Sequence, residues 1–293
     1  MKTNAIVRIV LFSVCIFILV GILLSGLGLH IFSATYHSET SSYTETHTIE
    51  SAQIRTIEIE WAAGNILIEP NDTSDTITVG ETESNEDYQM LCKVNGSTLS
   101  IYYAKPHFGT INLGVDGEAK DLHITFPAGW ICKELGIDAA AANVIIRDLT
   151  MEELDFDGAS GFCSLESCHV TDVDVDAASG DLTFYGTLEN LDFDGASADC
   201  MLMLDNCPKH IDLDGMSGEL EITLPSDCGF TARTGGLSCD FSTDFQTTSQ
   251  GSTHRHGDGS CLIEIDALSG KVVIHDGGYN CHGGQGNHHN NHH

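Results

Sequence analysis

Between Leu135 and Ile274 the chain alternates apolar and polar residues in short runs, and the runs recur. LDFDGASGFCSL at Leu154–Leu165 returns as VDVDAASGDLTF at Val173–Phe184 and as LDFDGASADCML at Leu191–Leu202. Each copy reads apolar-x-apolar-acid-small-x-Ser-Gly-x-apolar-x-apolar. Leu154 with Phe156, and Cys163 with Leu165, carry the period of two that marks a half-buried strand. Each copy therefore predicts two short strands joined at a corner of small residues. Ser160-Gly161, Ser179-Gly180, Ser217-Gly218 and Ser269-Gly270 mark that corner.

Aligned on the second acid, Asp138, Asp157, Asp176, Asp194 and Asp214 fall 19, 19, 18 and 20 residues apart. IEIEWAAGNILI at Ile57–Ile68 is an early copy with Glu60, and IEIDALSGKVVI at Ile263–Ile274 a late one with Asp266. FTARTGGLSCDF at Phe230–Phe241 reads as a degenerate copy with Arg233 in the acid position, following Asp214 directly. A unit this small cannot bury its apolar side alone, whereas stacked copies share one core. The expected fold class is all-β: a single-stranded β-helix or β-solenoid with repeats of about 19 residues, preceded by one N-terminal transmembrane helix.

The flanks set the remaining boundaries. Residues 9–33 hold an uncharged apolar run, Ile9–Phe32, of 24 residues, and a helix needs about 20 to cross a bilayer core. Lys2 and Arg8 precede it, which predicts a cytoplasmic segment 1–8 and an extracytoplasmic remainder. Cleavage as a signal peptide is the alternative. Residues 34–52 read as a Ser/Thr/Glu-rich stalk. Residues 53–130, with a hairpin signal at Asn95-Gly96, read as a less regular β part covering one end of the stack. Residues 131–277 are the solenoid, and 278–293 a disordered His-rich tail.

The stretch TIEIEWAAGNILIEP, the repeated D-[GA]-x-S-G-x-[LV]-x-[IFL] corners, the strand end ITFPAG and the single apolar span together resemble the bacterial DUF4097 family. Its members are β-strand-repeat proteins described as candidate adhesins, among them LiaG-like envelope proteins. The resemblance covers about residues 50–277 and implies a repeat fold with a binding role at the cell envelope. It brings no catalytic residues with it.

Charge narrows the partners. Lys+Arg total 12 against 43 Asp+Glu, a net −31, which argues against nucleic acid and anionic headgroups as ligands. Outward-pointing acids would form two ladders at the inter-strand spacing of about 4.8 Å, one through Asp138, Asp157, Asp176, Asp194 and Asp214, the other through Asp155, Asp174, Asp192 and Asp212. Like charges so placed repel, and a hard cation such as Ca²⁺ along Asp157, Asp176, Asp194 and Asp214 would relieve them. Solvent screening, with Asp capping corner amides, is the plainer alternative. His282, His288, His289, His292 and His293 form a second candidate metal site, suited to Zn²⁺ or Ni²⁺. Among the eleven cysteines, Cys163, Cys200 and Cys239 fall at positions held by Leu182 and Leu220 in other repeats, as inward core residues. Cys207 and Cys228, at similar places after neighbouring acids, are the best disulfide pair.

No catalytic motif stands out. Each repeat carries the same acid pair, while a catalytic site is a local exception within a repeat. The expectation is a non-enzymatic, membrane-anchored extracytoplasmic solenoid that binds a cell-surface or envelope protein or glycan, or serves in envelope stress. A metal-binding surface protein and a carbohydrate-active β-helix enzyme are the alternatives.

Overall fold

In the computed structural model, residues 45–82, 89–103 and 119–278 are described. The candidate span and the His-rich tail with His282, His288, His289, His292 and His293 lie outside them. Among the described residues no helix is long and apolar enough to cross a membrane.

Among the described residues fourteen strands form one sheet that coils on itself: β1 (Glu45–Glu50), β2 (Thr56–Asn71), β3 (Thr76–Glu81), β4 (Leu91–Asn95), β5 (Thr98–Tyr102), β6 (Leu122–Pro127), β7 (Ile131–Arg147), β8 (Thr150–Gly195), β9 (Cys200–Leu204), β10 (His210–Leu224), β11 (Phe230–Thr243), β12 (Thr248–Gln250), β13 (Thr253–His256) and β14 (Cys261–Asp276). The order is β1-β3-β6-β2-β7-β8-β9-β10-β14-β11-β13-β12, with β5 beside β2 and β4 beside β5. Along the series β2-β7-β8-β9-β10-β14-β11 every pairing is parallel and carries the repeat in register. Leu135 faces Leu154 and Asp138 faces Asp157, 19 residues on. Leu182 faces Cys200, 18 on, and Leu191 faces Ile211, 20 on. The solenoid expected from the period is present.

Its core is the two inward columns of each repeat. Ile59, Ile137 and Phe156 stand in one line, as do Phe193, Leu213 and Ile265. These six and Val175 are all buried. The corner fixes the glycines. At Gly161, with φ 119°, a Cβ would lie 2.3 Å from the Ala142 carbonyl oxygen of the rung below. At Gly218 it would lie 1.9 Å from that of Ala198. Successive backbones thus touch where the Ser-Gly pair sits, and no larger residue fits.

Side-chain volumes are matched across each corner. Phe156 and Phe193 fold over Gly158 and Gly195, whose added Cβ would meet the ring Cε1 at 2.8 Å in both cases. Ile137 and Val175, which are smaller, are followed instead by Ala139 and Ala177. Leu213 breaks the pattern, because it is followed by Gly215. There a pocket of about 50 Å³, partly open to solvent, remains, lined by Phe193, Leu213, Gly215, Leu220, Ile265 and Val272 among others.

Three expectations need correction. Residues 45–50 belong to the fold and not to a stalk: β1 pairs antiparallel with β3 from Glu45–Glu81 to Glu50–Thr76. Its Thr/Glu content suits an exposed edge strand as well as a linker. The last rungs do not stack in chain order, since β14 lies between β10 and β11. β14 offers Ile263 and Ile265 to the core, both buried, where β11 offers Ala232 and Thr234. The bulkier strand takes the position flanked on both sides. Finally, Arg233 faces Glu264 and Gly235 faces Asp266, while Cys239 faces Gly270. Arg233 therefore extends the ladder of Asp212, not that of Asp214, and Cys239 sits at the corner, not in the Leu220 column.

Antiparallel strands close both ends, β1, β3 and β4 at one and β12 with β13 at the other. At the first end a buried ion pair joins Lys120 Nζ to Glu81 at 2.5 Å, with side chains 3% and 0% exposed. The ammonium also lies 4.9 Å and 4.4 Å from the ring centroids of Trp61 and Tyr103. Met90 N–H donates to Glu81 Oε1 at 2.6 Å and Trp61 Nε1–H to the Lys120 carbonyl at 3.0 Å. The buried charges are thus paired and hydrogen-bonded, as the cost of desolvation requires.

Candidate functional site: the acidic ladders

Strand alternation turns the acids of each rung outward because their neighbours turn inward. Register places Glu60, Asp138 and Asp157 in one column, and Asp194, Asp214 and Asp266 in its continuation. Asp192, Asp212, Glu264 and Arg233 run beside it. The Asp155 and Asp157 carboxyls feel one another and the rungs above and below. Partial desolvation, then the charges of Asp155, Asp176 and Asp138, push Asp157 up to about 7, and it shares a hydrogen bond with Asp138. Asp155 is raised by desolvation, then by Asp138 and Glu134. Part of the ladder thus holds protons that isolated carboxyls would release.

Where the columns of Asp174, Asp192 and Asp212 meet that of Glu153, Asp172, Asn190 and His210, the face is concave, forming a groove of about 240 Å³. Asn190 Nδ2 donates to Asp172 Oδ1 at 2.7 Å. His210 Nε2 lies 3.3 Å from Glu264, which also receives Arg233 at 3.1 Å. The groove can take up cationic groups through carboxylates held at the rung spacing. Asp157, Asp194 and Asp214 stand in register with neighbouring acids, and Asp176 lies close enough to raise Asp157. Among the described residues no group of three or more His, Cys, Asp or Glu is arranged to hold a metal ion.

Acids outside the ladders do the capping. Asp181 accepts the Asp199 N–H at 3.2 Å, and Asp199 accepts the Glu219 N–H at 2.7 Å. Asp121 accepts the Asn65 N–H at 3.0 Å. Each reaches across to a neighbouring rung. Their signal in sequence is an acid one place before the second strand of a repeat, as in Ser179-Gly180-Asp181. Cys163 and Cys200 occupy the inward Leu182 and Leu220 column, where burial pushes their thiols up to about 12 and to a still higher value. Cys207 and Cys228 form a disulfide with Cα atoms 5.2 Å apart.

A family model described as Toastrack DUF4097 matches residues 54–186 and again 131–275. The chain belongs to the DUF4097 family. The two offset matches of this DUF4097 chain overlap within β7 and β8, the most regular part of the stack. No curated protein matches it. Among solved structures it is similar to one described as a candidate adhesin from Bacteroides fragilis, 15% identical, with 79% of this chain and 96% of that chain covered and a TM-score of 0.47. A candidate cell adhesion protein from Clostridium sporogenes is 13% identical, with 79% and 98% covered and a TM-score of 0.36. A candidate lipid binding protein from Parabacteroides distasonis is 15% identical, with 78% and 96% covered and a TM-score of 0.38.

Proposed function

We propose that this DUF4097 chain is a single-pass cell-envelope protein whose solenoid lies outside the cytoplasm and binds, without catalysis, a cationic face of a cell-surface or envelope protein or glycan. The observation that carries the reading is the repetition itself. Acids recur in register on successive rungs, singly at Asp138 and as pairs at Asp155/Asp157, Asp192/Asp194, Asp212/Asp214 and Glu264/Asp266, so the ladder is an extended surface and not a single reactive point. Such a surface engages partners by many weak charge contacts, which set encounter rate and specificity. The apolar run Ile9–Phe32 behind Lys2 and Arg8 supports the anchored, outward orientation.

Two measurements test it. In intact cells making the full chain, added trypsin should cleave the solenoid region. Cleavage only after lysis overturns the orientation. Purified protein should be retained on isolated cell envelopes, and retention should fall with salt and with joint Asp→Asn change at Asp157, Asp176, Asp194 and Asp214. Retention indifferent to both overturns the role of the ladder.

A further inference from the structure

The single disulfide among the described residues stands at the more C-terminal of two places where rungs leave chain order; at the other, β2 lies between β7 and the rung made by β5 and β6. Cys207 lies in the turn that feeds β10, and Cys228 in the turn that feeds β11. β10 and β11 are the two strands between which β14, the last strand of the fold, is inserted. β14 starts directly beside the bridge. Cys261 N–H donates to the Gly229 carbonyl at 2.9 Å, and Leu262 N–H to the Lys209 carbonyl at 3.0 Å. These carbonyls belong to residues one and two places beyond the two bridged cysteines. From there β14 pairs with β10 from Leu262 to Asp276 and with β11 from Cys261 to Ile274. The far end of the slot is held by non-covalent contacts only: Gly277 N–H to the Leu224 carbonyl at 2.9 Å, Asp244 N–H to the Ile274 carbonyl at 3.1 Å, and Ser226 Oγ–H to Asp276.

We infer that the Cys207–Cys228 disulfide is a redox-sensitive lock on the mouth of this slot: oxidised, it pins the turn from which β11 leaves one rung high and so retains β14; reduced, it lets β14 and the terminal strands β11 to β13 loosen. The middle of the stack has no such dependence, because β7, β8, β9 and β10 follow one another in chain order. The inserted position makes the response local. When β14 withdraws, β10 and β11 each lose their partner on that side, so both edges open together. Reduction is a two-electron exchange. A dithiol reductant attacks the bridge and closes to its own disulfide, while both cysteine sulfurs end as thiols with the two protons the dithiol gives up. Oxidising surroundings outside the cytoplasm keep the lock shut.

The test compares the full chain with and without a water-soluble phosphine or dithiol reductant, by amide hydrogen exchange and by limited trypsin digestion. On reduction, protection at Ile263, Ile265, Val272 and Ile274 should fall by about tenfold or more, with β7 and the part of β8 facing it unchanged. Trypsin should gain access to Lys271, whose side chain is already 57% exposed and whose backbone is held by the strand. The Cys207→Ser, Cys228→Ser double variant should behave as the reduced protein without reductant. If that variant fails to fold, reductant added to folded wild-type protein decides. Protection that falls equally across all rungs would mean a general staple and overturn the lock, as would protection that does not change.

Discussion

Replacing Asp157 with Asn removes one charge from the middle of the ladder while leaving the shape of the rung. The carboxyl stands in line with Asp138 below and Asp176 above, both of which raise it. Like charges facing one another across strands cost about 0.2–1 kcal/mol a pair. Asp157 is only partly desolvated, so screening keeps each of the two pairs near the lower half of that range, about 0.5–1 kcal/mol together. For a fold of this size about 1 kcal/mol moves Tm by about 2–4 °C, so the variant should melt about 1–4 °C higher near pH 8. The pH dependence supplies the sign. Asp157 is raised from 3.8 to about 7 in the fold. The folded chain therefore binds the proton more firmly than the unfolded chain between these values. That contribution is complete below the lower value and is lost as pH rises through about 7. The gap between variant and wild type should accordingly close on acidification toward about pH 4.5, and narrow at about 0.5 M salt. Differential scanning calorimetry across pH and salt reads both. An Asn variant that is less stable near pH 8, or a gap independent of pH and salt, would refute the repulsive ladder.

Leu213→Phe should fill the void beside Gly215 as Phe193 does in its own rung. A closed cavity of 50 Å³ would be worth about 1.2 kcal/mol at about 24 cal/mol per Å³, and because this pocket is partly open to solvent the gain should fall below that, measurable by urea unfolding. Lys120→Met leaves Glu81 charged and buried and should cost about 3–5 kcal/mol, whereas Lys120→Met with Glu81→Leu should recover most of it. A double-mutant cycle in denaturant checks the coupling. Gly161→Ala meets the Ala142 carbonyl in a left-handed conformation and should lower stability by more than about 1 kcal/mol, while Gly215→Ala, with its nearest atom at 3.4 Å, should not. Thermal melts of the two separate them.

The stack was legible because strand alternation and period are both short-range signals. Leu154, Phe156, Cys163 and Leu165 announce their inward direction by spacing alone, and the acids between them point outward by the same rule. Cys207 and Cys228 were found from their similar places in neighbouring repeats, because parallel stacking turns equal phase into proximity. What could not be read is the rung order at the far end. β11 follows β10 in sequence at nearly the repeat spacing, and nothing local says that Ile263 and Ile265 will displace Ala232 and Thr234 from the doubly flanked position. The two-residue error at Arg233 has the same origin, since FTARTGGLSCDF was aligned on β10, a strand it does not touch. The Lys120–Glu81 pair joins residues 39 apart through rings at 61 and 103, beyond any periodic signal. Asp181 and Asp199 were hidden among the other acids, with no difference in residue type to distinguish their capping role.

The two corners of a rung differ in a way that bears on how such chains change length. Seven residues always separate the second inward residue from the first one past the Ser-Gly corner: Phe156 to Cys163, Val175 to Leu182, Phe193 to Cys200, Leu213 to Leu220. The return path absorbs all the variation, with 10 residues from Cys163 to Val173, 9 from Leu182 to Leu191 and 11 from Cys200 to Ile211. The excursions after β2 and after β11 also leave from this return side. A foreign peptide grafted there would meet a joint that already tolerates unequal lengths, whereas one grafted beside Gly161 would push two carbonyl-to-glycine contacts apart. The fold thus has one rigid seam and one elastic one, and new segments belong on the second.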